Sequence, residues 1–318
     1  MAVLAFAVAL VVALAIGWIS IVVGRRLGIV DRPDEHLKPH SGAPVPLGGV
    51  ALLIAAHVGL AMAGVFDVGL LVTTLLAWVV GLIVDIWGLR PFVRLTAIAG
   101  AGVVLVVLTE RRFETGVAVF WVVALVVVVN AINLFDGLDA LAGSVATVTV
   151  FGLVWFGMTH AVPDPLVVLP LGGALLGFLF WNRPNARLFL GDNGAYVLGV
   201  LLVWAAMLVS PDRMAGVVAV GLVGVPLFDL GVTVFRRGLS GTPLFSGDRD
   251  HTYDRLHYLG VPPGQLALLY SVAQVVWVVA VIVTAQFWGD LPAAISALVL
   301  GLGVAVLVGM WMTVSQRA

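Results

Sequence analysis

The chain has no cysteine and very little charge. Its 318 residues include 16 Lys and Arg and 17 Asp and Glu, a charged share of 10% against an apolar share of 62%. A soluble domain carries roughly 25% charged residues, so there is too little polar material here to clothe a water-facing surface. That excludes a soluble enzyme, a disordered chain and a nucleic-acid binder with a basic face. The missing cysteine removes disulfide scaffolds, thiolate metal sites and thiol nucleophiles. What the sequence has instead is long apolar runs, the mark of an integral membrane protein.

A spanning helix needs ~20 predominantly apolar residues to cross a hydrocarbon core of ~30 Å. Eleven stretches qualify: 2–23, 47–65, 68–87, 93–109, 116–134, 143–159, 165–181, 194–210, 214–235, 264–287 and 291–313. They are continuous, unlike the short alternating strands of an outer-membrane barrel. Although valine favours strands in water, a lipid-embedded backbone must satisfy its own hydrogen bonds, which makes these runs helices. The fold class is therefore all-α and polytopic, with about eleven transmembrane helices. Arg25 and Arg26 follow the first run and no basic residue precedes it, the reverse of a cleavable signal's charge order. The N-terminus is then expected outside and the C-terminus in the cytoplasm. Alternating the loops leaves only Arg111, Arg112 and Arg213 outside and every other Lys and Arg inside, a strong positive-inside pattern. The inside loops are the longer ones and hold most of the Asp, Asn and His, which places any chemistry at the cytoplasmic face of the plasma membrane.

Polar residues at the ends of apolar helices are costly and therefore candidates for function. The fifth run closes on Asn130-Ala-Ile-Asn133-Leu-Phe-Asp136-Gly137-Leu-Asp139. At about 100° per residue, Asn130, Asn133 and Asp136 share roughly a 120° arc, and Gly137 can break the helix and turn Asp139 back. A cap and turn would also use Asn and Asp, but two Asn inside an apolar run exceed what a cap needs. Before the eighth run stands Asn182-Arg183-Pro184-Asn185-Ala-Arg187-Leu-Phe-Leu-Gly191-Asp192-Asn193-Gly194. Helix N-termini favour phosphate and a carboxylate there can hold Mg²⁺, although Gly-Asp-Asn-Gly is equally an ordinary capped turn. Asp85 ends the third run, where it could also cap or pair with Arg90 or Arg94. Lys38 and His40 sit in a basic loop that could meet an anion or anionic lipid. The longest loop carries Asp248-Arg249-Asp250-His251-Thr252-Tyr253-Asp254-Arg255, suited to a phosphate clamp or to a solvated juxtamembrane surface. His57 and His160 read as structural. Together, carboxylates from three helices with amides and basic residues on one face are equipment for Mg²⁺ and a diphosphate.

In this order the motifs resemble the polyprenyl-phosphate N-acetylhexosamine-1-phosphate transferases, the superfamily of undecaprenyl-phosphate N-acetylglucosamine-1-phosphate transferase and phospho-N-acetylmuramoyl-pentapeptide transferase. The likeness runs from about Arg25 to Gly260. It implies one transmembrane transferase domain over 1–318, with loops 24–46, 85–92, 130–143, 182–193 and 236–263 forming the site. It implies transfer of an N-acetylhexosamine 1-phosphate from a UDP-sugar to a polyprenyl phosphate, with UMP released. The cofactor implied is Mg²⁺, with Mn²⁺ as an alternative. The partners are the two substrates, membrane lipid and a second copy of the chain as a homodimer, with no nucleic acid. Catalytic positions carried over are Asp85, Asp136, Asp139, Asp192 and His251, with Asp192 and Asp85 at the metal. Substrate-binding positions are Lys38, His40, Asn130, Asn133, Asn182, Gly191 and Arg249. Two departures stand out: Val84 replaces the first acid of the family's Asp-Asp pair, and 251–256 reads His-Thr-Tyr-Asp-Arg-Leu in place of His-x-His-His-Arg-Leu. A catalytically impaired relative that binds prenyl phosphate or partner enzymes is the alternative. A transporter is disfavoured because the acids gather at one face.

Overall fold

The computed structural model describes residues 1–31, 43–109, 114–244 and 249–315. Among these there are thirteen α-helices and no strand: α1 (Ala2–Leu27), α2 (Gly48–Met62), α3 (Val68–Trp87), α4 (Pro91–Leu108), α5 (Thr115–Phe135), α6 (Leu141–Thr159), α7 (Leu169–Asn182), α8 (Gly191–Leu208), α9 (Arg213–Gly221), α10 (Gly224–Ser240), α11 (Thr252–Tyr258), α12 (Pro263–Trp288) and α13 (Asp290–Ser315). All eleven apolar runs are helical, but they are not eleven equal spans. Nine helices of the described residues are long and apolar enough to cross a membrane, α7 together with the 3₁₀ turn before it. The α2 helix has 15 residues, about 22 Å at ~1.5 Å per residue, short of the hydrocarbon thickness.

The run 214–235 is the other departure from the expected pattern. It is two helices, α9 and α10, bent by 77° at a short break. Pro226 has no N–H to offer Leu222 four residues back, so the ladder must open there. In lipid the freed groups need other partners, and α12 supplies them. Gln274 is fully buried; its Nε2 donates to the Leu222 carbonyl at 2.6 Å and its Oε1 accepts from Val225 N at 3.0 Å. Trp277 Nε1 donates to the Gly221 carbonyl at 2.8 Å. The bend is thus held by α12.

Helix α8 is the centre of the molecule. Every residue from Asn193 to Met207 is buried, and α2, α3 and α5 pack around it. On the opposite flank, Ala5, Ala9, Ala13 and Gly17 form a buried i, i+4 stripe on α1 against α7. A Cβ on Gly173 would strike the Phe6 carbonyl, and one on Gly177 would lie 2.5 Å from that of Leu10. Small residues of this kind let membrane helices approach backbone to backbone. Helix α13 lies at the periphery against α9, α10 and α12.

Candidate active site

Five of the residues singled out from sequence converge where α3, α5 and α8 end on the same side. Gly81 lets α3 touch the α8 backbone at Asn193, which brings Asp85 to the first turn of α8. Asp85 Oδ1 accepts from Asp192 N at 2.9 Å, and its Oδ2 accepts from Asn193 N at 3.1 Å and Asn193 Nδ2 at 2.6 Å. A carboxylate at a helix N-terminus is favourable on both charge and hydrogen-bonding grounds, so Asp85 closes the start of α8 from a different helix. Gly191 sits at φ 69° with Asp85, Asn193 and Pro46 crowding the place a Cβ would take. Only glycine fits both the left-handed conformation and the space.

From α5, Asn133 Nδ2 donates to Asp192 Oδ1 at 2.6 Å. Arg94 of α4 places Nη1 3.7 Å from Asp192 Oδ2. Asp136 ends α5. Burial, then the charges of Asp192, Asp85 and Asp139, push its carboxyl up to about 8. Asn130 turns inward to its own helix, donating to the Val126 carbonyl at 2.7 Å.

Asp139 and Asn182 do a different job. Asn182 is buried; its Oδ1 accepts from Ala140 N at 3.0 Å and its Nδ2 donates to the Leu188 carbonyl at 2.9 Å. Asp139 Oδ2 accepts from Ala186 N at 3.1 Å. These two side chains button the turn after α5 to the loop after α7. Main-chain bonds extend the seam: Val45 N donates to the Arg187 carbonyl and Phe189 N to that of Val45, while Asn193 Nδ2 reaches the Pro46 carbonyl at 2.9 Å.

The long loop docks on the end of α5 through α11. Tyr253 is buried and donates from its hydroxyl to the Leu134 carbonyl at 2.7 Å; its ring fills the space a side chain at residue 137 would need. Burial, then the charges of Asp254 and Asp229, raise the Tyr253 hydroxyl well above its ordinary value, so it remains a donor. Arg249 Nη1 donates to the Gly137 carbonyl at 3.0 Å. His251 is itself buried, stacked on Tyr253 and bonded to Asp229 of α10. The loop is also tied to α10 and α13: Arg236 meets Asp250 at 3.1 Å, Arg255 Nε meets the same carboxylate at 2.6 Å, and Arg255 Nη2 donates to the Met312 carbonyl at 2.8 Å. Lys38 and His40 lie outside the described residues. His57 bonds Leu53 and Thr74, and His160 pairs with Asp290 at 3.0 Å, both away from these carboxylates in sequence and bonding.

Sequence reasoning passed over Arg94, Asn193, Asp229 and Tyr253. Arg94 enters that reading only as an inside charge and a pairing partner for Asp85, and Asn193 only as part of a turn. Asp229 carried a usable signal, an acid inside an apolar run, which is a functional candidate by default.

Among the described residues, no group of three or more His, Asp or Glu is arranged to hold a metal ion. Mg²⁺ does not require one, because it is commonly held by one or two carboxylates plus substrate phosphates. The hard oxygen donors fit: Asp192, and Asp136 with its raised carboxyl in a field of three other acids. Asp85 fits less well as a ligand, since both its oxygens already accept N–H groups.

Residues 68–210, the span containing Asp85, Asn133, Asp136 and Asp192, match the glycosyl transferase family 4 model. A Streptomyces coelicolor protein named as a glycosyltransferase is 34% identical over 251 residues, 74% of this chain and 58% of its own length. The chain therefore spans under two thirds of that relative. A Bacillus subtilis protein named as an undecaprenyl-phosphate N-acetylglucosaminyl 1-phosphate transferase is 28% identical over 287 residues, 81% of this chain and 78% of that one. The phospho-N-acetylmuramoyl-pentapeptide-transferase of Carboxydothermus hydrogenoformans is 28% identical over 285 residues, 78% and 86% of the two chains. With the matched segment coinciding with the helix ends that build the site, the chain belongs to glycosyl transferase family 4.

Proposed function

We propose that this protein transfers an N-acetylhexosamine 1-phosphate from a UDP-sugar to a polyprenyl phosphate at the cytoplasmic face of the plasma membrane. A phosphate oxygen of the lipid attacks the β-phosphorus of the UDP-sugar, the bond from that phosphorus to the bridging oxygen breaks, and UMP leaves. The single observation carrying this reading is the meeting of Asp192, Asn133 and Arg94 at the start of α8. One carboxylate held between an amide and a guanidinium at a helix N-terminus suits a cation and the phosphates it bridges. The named relatives support the reaction class.

Asp192 and Asp136 would hold Mg²⁺, which when bound neutralises charge on the diphosphate. Asn133 orients Asp192 from α5. Arg94 offers a planar donor to a phosphate oxygen. Asp85 positions the α8 N-terminus, and Asn182 with Asp139 sets the two loops that flank it. Lys38 and His40 remain assigned to substrate phosphate by resemblance. A prenyl phosphate is already largely ionised near neutral pH, its second pKa being near ~6 as for other phosphomonoesters, so an apolar Val84 is compatible with turnover.

The test is purified protein in detergent with Mg²⁺, undecaprenyl or decaprenyl phosphate and a panel of UDP-N-acetylhexosamines, following UMP. Release from one donor, abolished by Asp192→Asn, is the expected result. No release from any donor sinks the reading.

A further inference from the structure

Tyr253, one of the residues at which the long loop departs from the family's pattern, is 2% exposed and meets the end of α5 in three ways. Its hydroxyl donates to the Leu134 carbonyl at 2.7 Å. Its ring stands edge-on to Phe135, with centroids 5.7 Å apart. The same ring covers Gly137, where a Cβ would lie 2.6 Å from Cε2 and 2.7 Å from Cζ. Asn133 and Asp136 leave the chain within this short stretch. We propose that Tyr253 is a positioning residue: it fixes the turn that ends α5, and with it the directions of Asn133 and Asp136, so that docking of the long loop completes the site.

Two observations separate this from ordinary core packing. The first is the hydroxyl. Helix α5 stops at Phe135, which leaves its last carbonyls without helical partners. Among the described residues no main-chain N–H reaches the Leu134 carbonyl from beyond the helix. A phenylalanine would fill the same volume, but only a hydroxyl supplies the missing donor. The second is Gly137. It is not among the glycines with positive φ, so its φ asks for no special residue; the Tyr253 ring is what excludes a side chain there. Arg249 Nη1 adds a bond to the Gly137 carbonyl at 3.0 Å, and Asp254 Oδ1 lies 3.5 Å from the same nitrogen. The loop thus grips carbonyls on both sides of Asp136. Its other side is tied outward, where Thr252 Oγ1 donates to Asp229 at 2.7 Å and accepts from Tyr270 of α12 at 2.8 Å. A misplacement of about 1 Å can cost about 100-fold in rate, which gives a remote hold of this kind its leverage. The effect on rate rests on the transferase reading above; the hold on α5 does not.

Tyr253→Phe removes the hydroxyl and keeps the ring. Losing one buried hydrogen bond should speed hydrogen exchange at the amides of Asp136 to Ala140 about tenfold, with those of α8 unchanged. In UMP release, kcat should fall about tenfold with KM for the UDP-sugar changed less than about twofold. Unchanged exchange, faster exchange with full kcat, or a loss carried by KM alone overturns the proposal. A size exchange tests the ring. Gly137→Ala should cost about 100-fold in kcat with Tyr253 present, and less than about threefold more in a Tyr253→Ala background. Equal cost in both backgrounds overturns the contact. Should Gly137→Ala not fold, Tyr253→Phe still decides. If the parent releases no UMP from any donor, the transferase reading fails while the exchange result still judges the hold of Tyr253 on α5.

Discussion

At the residue scale, the same chemical type does opposite work depending on what its oxygens touch. Asp85 accepts three N–H groups from the start of α8, so its first contribution is to stability. Asp85→Asn replaces one acceptor oxygen with a donor facing those hydrogens. Hydrogen bonds to charged groups are worth ~1.5–3 kcal/mol, and we expect a loss of roughly 2 kcal/mol in Mg²⁺-free detergent, read by thermal unfolding. If Asp85 served only a metal, the metal-free protein would be unaffected by the change. Asp136 behaves differently. With its carboxyl at about 8, it is protonated at neutral pH in the metal-free protein, and a cation must displace that proton. Cation affinity should therefore rise with pH below about 8, by roughly tenfold per unit for one displaced proton, and level off above it. Titration of Mn²⁺ by electron paramagnetic resonance at several pH values measures this, and Asp136→Asn should flatten the dependence.

At the scale of elements, the apolar runs were legible because lipid leaves the backbone no choice but helix. The polar ends of α3, α5 and α8 were legible because burying Asn and Asp there needs a reason. That Asn182 also fastens two loops is not legible in the sequence, because its partners are main-chain groups, one of them 42 residues away, and a sequence does not show which oxygen is already engaged. The α9–α10 bend was also missed, although Pro226 signals it. Its real determinant is Gln274, some 50 residues away in α12. Gln274→Leu would leave the Leu222 carbonyl and Val225 N–H unpaired within the bilayer. An unsatisfied buried group costs about 1–3 kcal/mol, and we expect a lower unfolding temperature with the Val225 amide losing its protection, as seen by hydrogen exchange. Unchanged stability would show that water or lipid reaches the break.

At the scale of the whole molecule, the absence of cysteine becomes an experimental asset. Single cysteines at Ala63 and at Gly260 can be labelled with a membrane-impermeant maleimide in a chain that has no competing thiol. The positive-inside pattern expects Ala63→Cys to react in intact cells and Gly260→Cys only after the membrane is opened; the reverse would invert the topology. The long loop meets α5, α10 and α13 together, so Arg255→Ala, which releases the α13 end, should raise cleavage of that loop by added protease without unfolding the bundle.

Helix α8 has a consequence for how the protein is made. It is the least apolar of the nine straight spans and the most enclosed, whereas the peripheral α13 is among the more apolar and almost wholly bare. A segment that lipid welcomes so little gains by reaching partners soon after synthesis, and α2, α3 and α5, which surround it, all precede it in the chain. Insertion and the candidate site therefore share one arrangement: the socket that receives α8 is built from the helices that supply Asp85 and Asn133 to its first turn.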